Sequence, residues 1–180
     1  MSLESLKARL PDYAKDLRLN LGAVLTAPGL TPRQAWGAAL ASAIAARNPE
    51  VIAAVEGEAA GHLDPAALNA ARAAAAIMSM TNIYYRFTHL VSAKDYQTMP
   101  ARLRMTAIAN PGVEAMDFEL WCLAVSAING CAQCLDAHER QIAAKGGSRE
   151  TVQHVVRIAA VVFAVAVTLG GVAEASARAA

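Results

Sequence analysis

The chain has no basic block, few cysteines and little strand signal, and each shortage excludes a class of function. Lys and Arg total 16 against 15 Asp and Glu, a net charge of +1. The cationic stripe that follows a phosphate backbone is therefore missing, and no nucleic-acid partner is expected. Three cysteines occur in 180 residues, Cys122, Cys131 and Cys134, and an odd number without an export signal does not make a disulfide scaffold. At this length a hydrophobic core suffices without staples or a structural metal. The amino end, Met1-Ser2-Leu3-Glu4-Ser5-Leu6-Lys7, lacks the basic, apolar and small-residue order of a secretory signal, which gives the expectation of a cytoplasmic location.

Long apolar runs are also scarce. A bilayer span needs about 20 residues. The longest run here, Ile158 to Ala173, has 16, contains Thr168 and Gly170-Gly171, and is bounded by Arg157 and Glu174. It reads as a buried helix, with no membrane partner. The 56% hydrophobic content and mean hydropathy of +0.31 come largely from alanine, 43 residues of 180, which is the best helix former.

Helix punctuation then recurs along the chain. Thr31-Pro32-Arg33-Gln34 offers an N-cap threonine, proline at the first helical position and a capping-box glutamine, predicting a helix to about Arg47. Asn48-Pro49 and Asp64-Pro65 repeat the signature and open helices over about Pro49 to Ala60 and Pro65 to Met80, with Gly61 between them. A short helix is expected from about Pro100, stopping before Asn110-Pro111-Gly112, and another over Asp117 to Ile128. Asn129-Gly130 breaks the chain, Cys131 to Lys145 restarts it, and after Gly146-Gly147 Ser148 caps a long last helix. The fold class is all-α, a single compact helical domain over 1–180.

A faint internal repeat runs through this pattern. Ala41-Ser42-Ala43-Ile44 returns as Val125-Ser126-Ala127-Ile128, and Asp64 matches Ser148 at the same offset of 84 residues. The repeat units would be about 32–90 and 117–175. Cys131, Cys134 and His138 then face Arg47, Glu50 and Ala54, so thiol chemistry is confined to the second copy.

The chemistry lies in Phe118-Glu119-Leu120-Trp121 and Asn129-Gly130-Cys131-Ala132-Gln133-Cys134-Leu135-Asp136-Ala137-His138, with the spacing E-x11-C-x2-C-x3-H. After a break at Gly130, Cys131 and Cys134 sit in the first helical turn at i and i+3, where free N–H groups and the helix dipole favour a thiolate. His138, at i+4 from Cys134, projects onto the same face and can move a proton, and Glu119 can orient the imidazole. Zinc held by Cys131, Cys134 and His138 is an alternative, although the second half of a structural zinc module is missing. Two small hydrophobes in a core, or an accidental spacing, is the reading without chemistry, and the break before Cys131 with His138 at i+4 from Cys134 fits a reactive site better. Leu135 occupies the place where covalent haem attachment needs histidine, and no strand precedes Cys131 as in a thioredoxin-like site. Cys122, Trp36 and Trp121 read as core and His62, His89 and His154 as structural or surface histidines, while Tyr84-Tyr85-Arg86 is the one other suggestive cluster, with helix-end packing as its bland reading.

These residues resemble the alkyl hydroperoxidase D (AhpD) family, within the carboxymuconolactone decarboxylase-like group. The likeness extends over Leu10-Pro11-Asp12-Tyr13-Ala14-Lys15-Asp16, Met105-Thr106-Ala107-Ile108-Ala109-Asn110-Pro111-Gly112 and the Glu119-to-His138 stretch. It implies an all-helical antioxidant enzyme, a homotrimer, that reduces organic hydroperoxides or regenerates an AhpC-type peroxiredoxin. No cofactor or metal would be bound, and electrons would come from the dihydrolipoyl group of a lipoyl-carrying protein. By motif match, Cys134 would become the sulfenic acid, Cys131 the proton donor and disulfide partner, and Glu119 and His138 the proton relay. Gln133 departs from the family pattern, which commonly has histidine there, so the imidazolium charge expected beside Cys134 is absent. A general disulfide reductase with another donor, a redox-sensing helical assembly protein without turnover, and a decarboxylase-like enzyme are the competing readings.

Overall fold

The computed structural model describes residues 2–179, with side chains from 2 to 173. Among them the chain forms nine α-helices and no strand: α1 (Leu3–Arg9), α2 (Lys15–Thr26), α3 (Pro32–Ala46), α4 (Pro49–Ala59), α5 (Pro65–Leu90), α6 (Thr106–Ala109), α7 (Ala115–Asn129), α8 (Ala132–Ala144) and α9 (Arg149–Ala179). They make the single all-α domain that the sequence predicts.

Helices α3 and α7 form the centre, packed on each other and both against α5 and α9. Each is apolar nearly all round, the pattern of a helix buried on every side. Ala35 to Ala43 of α3 are all buried, as are Leu120 to Val125 of α7. Small residues set the spacing. Gly37 lies under the Trp121 indole, and a Cβ built at 37 would fall 2.1 Å from Trp121 Cε2. The indole is also anchored, since its Nε1 donates to Gln34 O at 3.2 Å.

The capping signals perform as written. Thr31 and Gln34 form the reciprocal box, Asn48 Oδ1 accepts from Glu50 and Val51 N–H, Asp64 Oδ1 from Ala67 N–H and Ser148 Oγ from Thr151 N–H. Arg33 links the two halves, donating to Asp64 at 2.7 Å and Asp117 at 3.1 Å. The Asp64 bond is the main cause raising the guanidinium pKa further and lowering that of the Asp64 carboxyl. Helices α7, α8 and α9 begin 83, 83 and 84 residues after α3, α4 and α5.

Several elements differ from expectation. Helix α5 runs to Leu90 and not Met80, because residues 81–90 contain neither Gly nor Pro to break it and the helix packs along α7 and α8. The helix expected from Pro100 is reduced to the single turn α6, since Arg102 adopts a left-handed conformation (φ 51°) that interrupts it. Helices α1 and α2, not anticipated, dock through Leu6, Leu10, Leu21 and Leu25. Helix α9 is half-buried rather than fully enclosed. Ile158, Val162, Val165 and Leu169 face the core, while Phe163 and Val167 face outward. By length and composition α9 could cross a membrane.

Candidate active site

The site begins at the turn between α7 and α8. Gly130 takes the left-handed conformation (φ 64°) that a side chain would disfavour, and its N–H bonds to Ala127 O and Ser126 O. Cys131 N–H follows to Ser126 O at 3.2 Å. This tight reversal leaves Cys131 as the N-cap of α8, its sulfur accepting Cys134 N–H at 3.3 Å. Cys134 lies within the first turn, Cα to Cα 5.3 Å from Cys131, and the two are joined as a disulfide. On reduction, negative charge on either sulfur would meet the free N–H groups and positive dipole end of α8.

The two sulfurs differ in access. Cys131 is wholly enclosed, whereas Cys134 lines a cavity of about 610 Å³. Glu119 and His138 line the same cavity. His138, one turn beyond Cys134, is buried and places Nδ1 2.7 Å from Glu119 Oε2 and Nε2 3.2 Å from Met78 Sδ. All four residues singled out by spacing are thus brought together, three on the cavity wall and Cys131 behind Cys134.

The remaining wall is largely apolar, with Met78, Met105, Ile108 and Ala115, and Lys145 contributes a cation. An adjoining cavity of about 500 Å³ shares Tyr85 and Gln133 with the first and adds Tyr84, His89 and Tyr96. Sequence reasoning gave no site role to Met78, Met105 and Ile108, which come from α5 and the segment before α7 and carry no spacing relation to the cysteines, whereas Tyr85 belongs to the one other cluster it singled out. Tyr84-Tyr85-Arg86 lies within α5, not at a helix end, and Arg86 Nη1 donates to Asn129 O at 2.6 Å, tying α5 to the turn before Cys131.

The residues set aside as structural behave so. Burial, with the Glu119 charge as a smaller cause, pushes the Cys122 thiol well above its ordinary value. His154 sits between Val24 O and Pro28 O at 3.0 and 3.2 Å, and His62 stacks flat on Trp36 at 4.8 Å. Among the described residues no group of three or more His, Cys, Asp or Glu is placed to hold a metal ion.

The sequence profile of the Carboxymuconolactone decarboxylase family matches residues 94–178. The alkyl hydroperoxide reductase AhpD of Rhodospirillum centenum is 62% identical over 169 residues, covering 94% of this chain and 91% of that protein. The chain belongs to the AhpD family. Two further AhpD relatives extend the match: that of Rhodopseudomonas palustris strain BisA53 is 58% identical over 94% of this chain and 93% of its own length. The third, from Hyphomonas neptunium, is 55% identical over 99% of both chains. AhpD membership thus spans both helix triplets, α3 to α5 and α7 to α9, and not only the half that carries the cysteines.

Proposed function

We propose that this protein is a dithiol alkyl hydroperoxide reductase in which Cys134 is the attacking sulfur. The observation that carries this reading is the cavity on which Cys134 meets the hydrogen-bonded Glu119–His138 pair while Cys131 lies sealed behind it. The largely apolar wall suits an organic hydroperoxide. The names of the relatives point to the same substrate class.

In the reduced enzyme the Cys134 thiolate attacks the distal peroxide oxygen. The O–O bond breaks, the sulfur becomes a sulfenic acid, and the departing alkoxide takes a proton from the His138–Glu119 pair and leaves as alcohol. The Cys131 thiol then attacks that sulfenic sulfur, expelling water and forming the disulfide. A dihydrolipoyl group on a partner protein reduces it by two exchange steps and leaves as the cyclic disulfide. No bound cofactor or metal is required. The same exchange chemistry serves an AhpC-type peroxiredoxin whose disulfide is passed to this CxxC, and Gln133, a neutral amide on the cavity wall, favours that second use by adding no positive charge near Cys134. We further propose a cytoplasmic homotrimer whose single domain arose from two copies of one helical unit, about 32–90 and 117–175.

The test is steady-state consumption of tert-butyl hydroperoxide with dihydrolipoamide as donor, in wild type, Cys131→Ser and Cys134→Ser. Turnover in wild type and its loss in both variants is expected. A single stoichiometric burst in wild type would replace the enzyme with a redox sensor. Activity only when an oxidised peroxiredoxin is supplied would make recycling the main role.

A further inference from the structure

The Met78 sulfur stands in an unusual setting for a thioether. It is buried in α5, yet four polar groups approach it: His138 Nε2 at 3.2 Å, Ser126 Oγ at 3.5 Å, Thr81 Oγ1 at 3.6 Å and Asn82 Nδ2 at 3.7 Å. A core methionine ordinarily meets carbon. Here the sulfur is the end of a buried chain that starts at the turn before Cys131. Asn129 Nδ2 donates to Asn82 Oδ1 and Asn82 Nδ2 to Ser126 Oγ, each at 3.0 Å.

We infer that Met78 is a positioning residue for proton transfer, its sulfur fixing the proton of His138 on Nε2. A thioether has lone pairs and no hydrogen to give. The contact with Nε2 is therefore attractive only when that nitrogen carries the hydrogen. On the other side of the ring, Nδ1 and Glu119 Oε2 at 2.7 Å need a proton between them as well. The neutral tautomer with hydrogen on Nδ1 alone would turn the Nε2 lone pair onto the sulfur lone pairs. Met78 disfavours it and holds a hydrogen on Nε2, so that the proton shared on the Nδ1–Oε2 edge can leave without turning the ring into an imidazolate.

This deepens the hydroperoxide reading and rests on it, because the proton held on that edge is the one the alkoxide removes. It also assigns the donor: protons leave through the Glu119 side of the ring and not through Nε2.

The experiment is ¹⁵N NMR of histidine-labelled protein in the disulfide form, which distinguishes protonated from unprotonated ring nitrogens without turnover. Wild type should show His138 with hydrogen on Nε2, assigned by its loss in His138→Gln. Met78→Leu, of similar volume but with no acceptor, should move the population to the Nδ1–H tautomer. Ser126→Ala, which removes another neighbour of the sulfur but leaves the histidine contact, should not. An unprotonated Nε2 in wild type would overturn the assignment even if Met78→Leu failed to fold, and so would an equal tautomer shift in both variants. In peroxide turnover Met78→Leu should lower kcat about tenfold, a fraction of the 10²–10⁴ that a placed acid or base supplies. Should wild type have no peroxidase activity yet show the expected tautomer, the functional reading fails and the placement of the proton by Met78 stands.

Discussion

Glu119 Oε2 lies 2.7 Å from His138 Nδ1, a hydrogen bond that joins α7 to α8 across the wall of the cavity. Both side chains are about nine-tenths enclosed, at 12% and 10% exposure. Buried polar groups of this kind are tolerated only when paired, so each makes the other affordable and both are held at the disulfide's side of the cavity.

Replacing Glu119 by glutamine tests that pairing. The amide keeps the shape and can still accept from Nδ1–H, but it cannot carry the shared proton. In the dihydrolipoamide-coupled assay kcat should fall by about 10²-fold, the low end for a general acid or base. Unchanged kcat would remove Glu119 from the relay.

How much of this was legible beforehand depended on what kind of signal each element carries. Helices α3, α4 and α8 announce themselves by local chemistry, a cap residue with proline or a glycine break, and their ends fall within about two residues of expectation. The meeting of Glu119 with His138 could be proposed from spacing because α7 and α8 are joined by one short turn. Met78 could not, because it is 60 residues from His138 and only the tertiary packing of α5 on α7 and α8 brings it there. The same limit hid the overrun of α5 past Met80. Its C-terminal stretch, rich in β-branched and aromatic residues, has weak helix propensity, and burial of Thr81, Asn82 and Thr88 outweighs it.

The contact between Gly37 and Trp121 sets the distance between the two central helices. Alanine at 37 would place a methyl 2.1 Å from the indole, which is fully buried and anchored through Nε1. Overpacking of this sort costs about 1–3 kcal/mol, which for a domain of this size lowers Tm by roughly 2–4 °C per kcal/mol. A thermal melt of Gly37→Ala matching wild type would show that the helices can separate freely.

Cys122 sets up a pH dependence of stability whose direction is determined. Burial raises its pKa well above the ordinary thiol value, and the Glu119 charge acts the same way. In the unfolded chain the thiol loses its proton near its ordinary value, while in the folded protein it keeps it. Stability from this residue is therefore intact below about pH 8.5 and declines as pH rises above that, toward the elevated folded value. Denaturant melts at rising alkaline pH should fall less steeply for Cys122→Ala than for wild type. At neutral pH the reduced protein should resist alkylation at Cys122 while Cys134 reacts. Equal slopes, or rapid Cys122 labelling, would contradict its burial.

Ser42 and Ser126, 84 residues apart, offer a paired comparison. Ser126 Oγ accepts from Asn82 Nδ2 at 3.0 Å, whereas Ser42 Oγ, equally buried on α3, has no hydrogen-bond partner. An unsatisfied buried hydroxyl costs about 1–3 kcal/mol, and alanine removes it while leaving a helix former in place. Ser42→Ala should therefore raise Tm. Ser126→Ala should lower it, because the Asn82 amide would lose its acceptor. Chemical denaturation of the two variants separates them by sign, and a Ser42→Ala protein less stable than wild type would mean that the hydroxyl has a partner that the packing of α3 does not reveal.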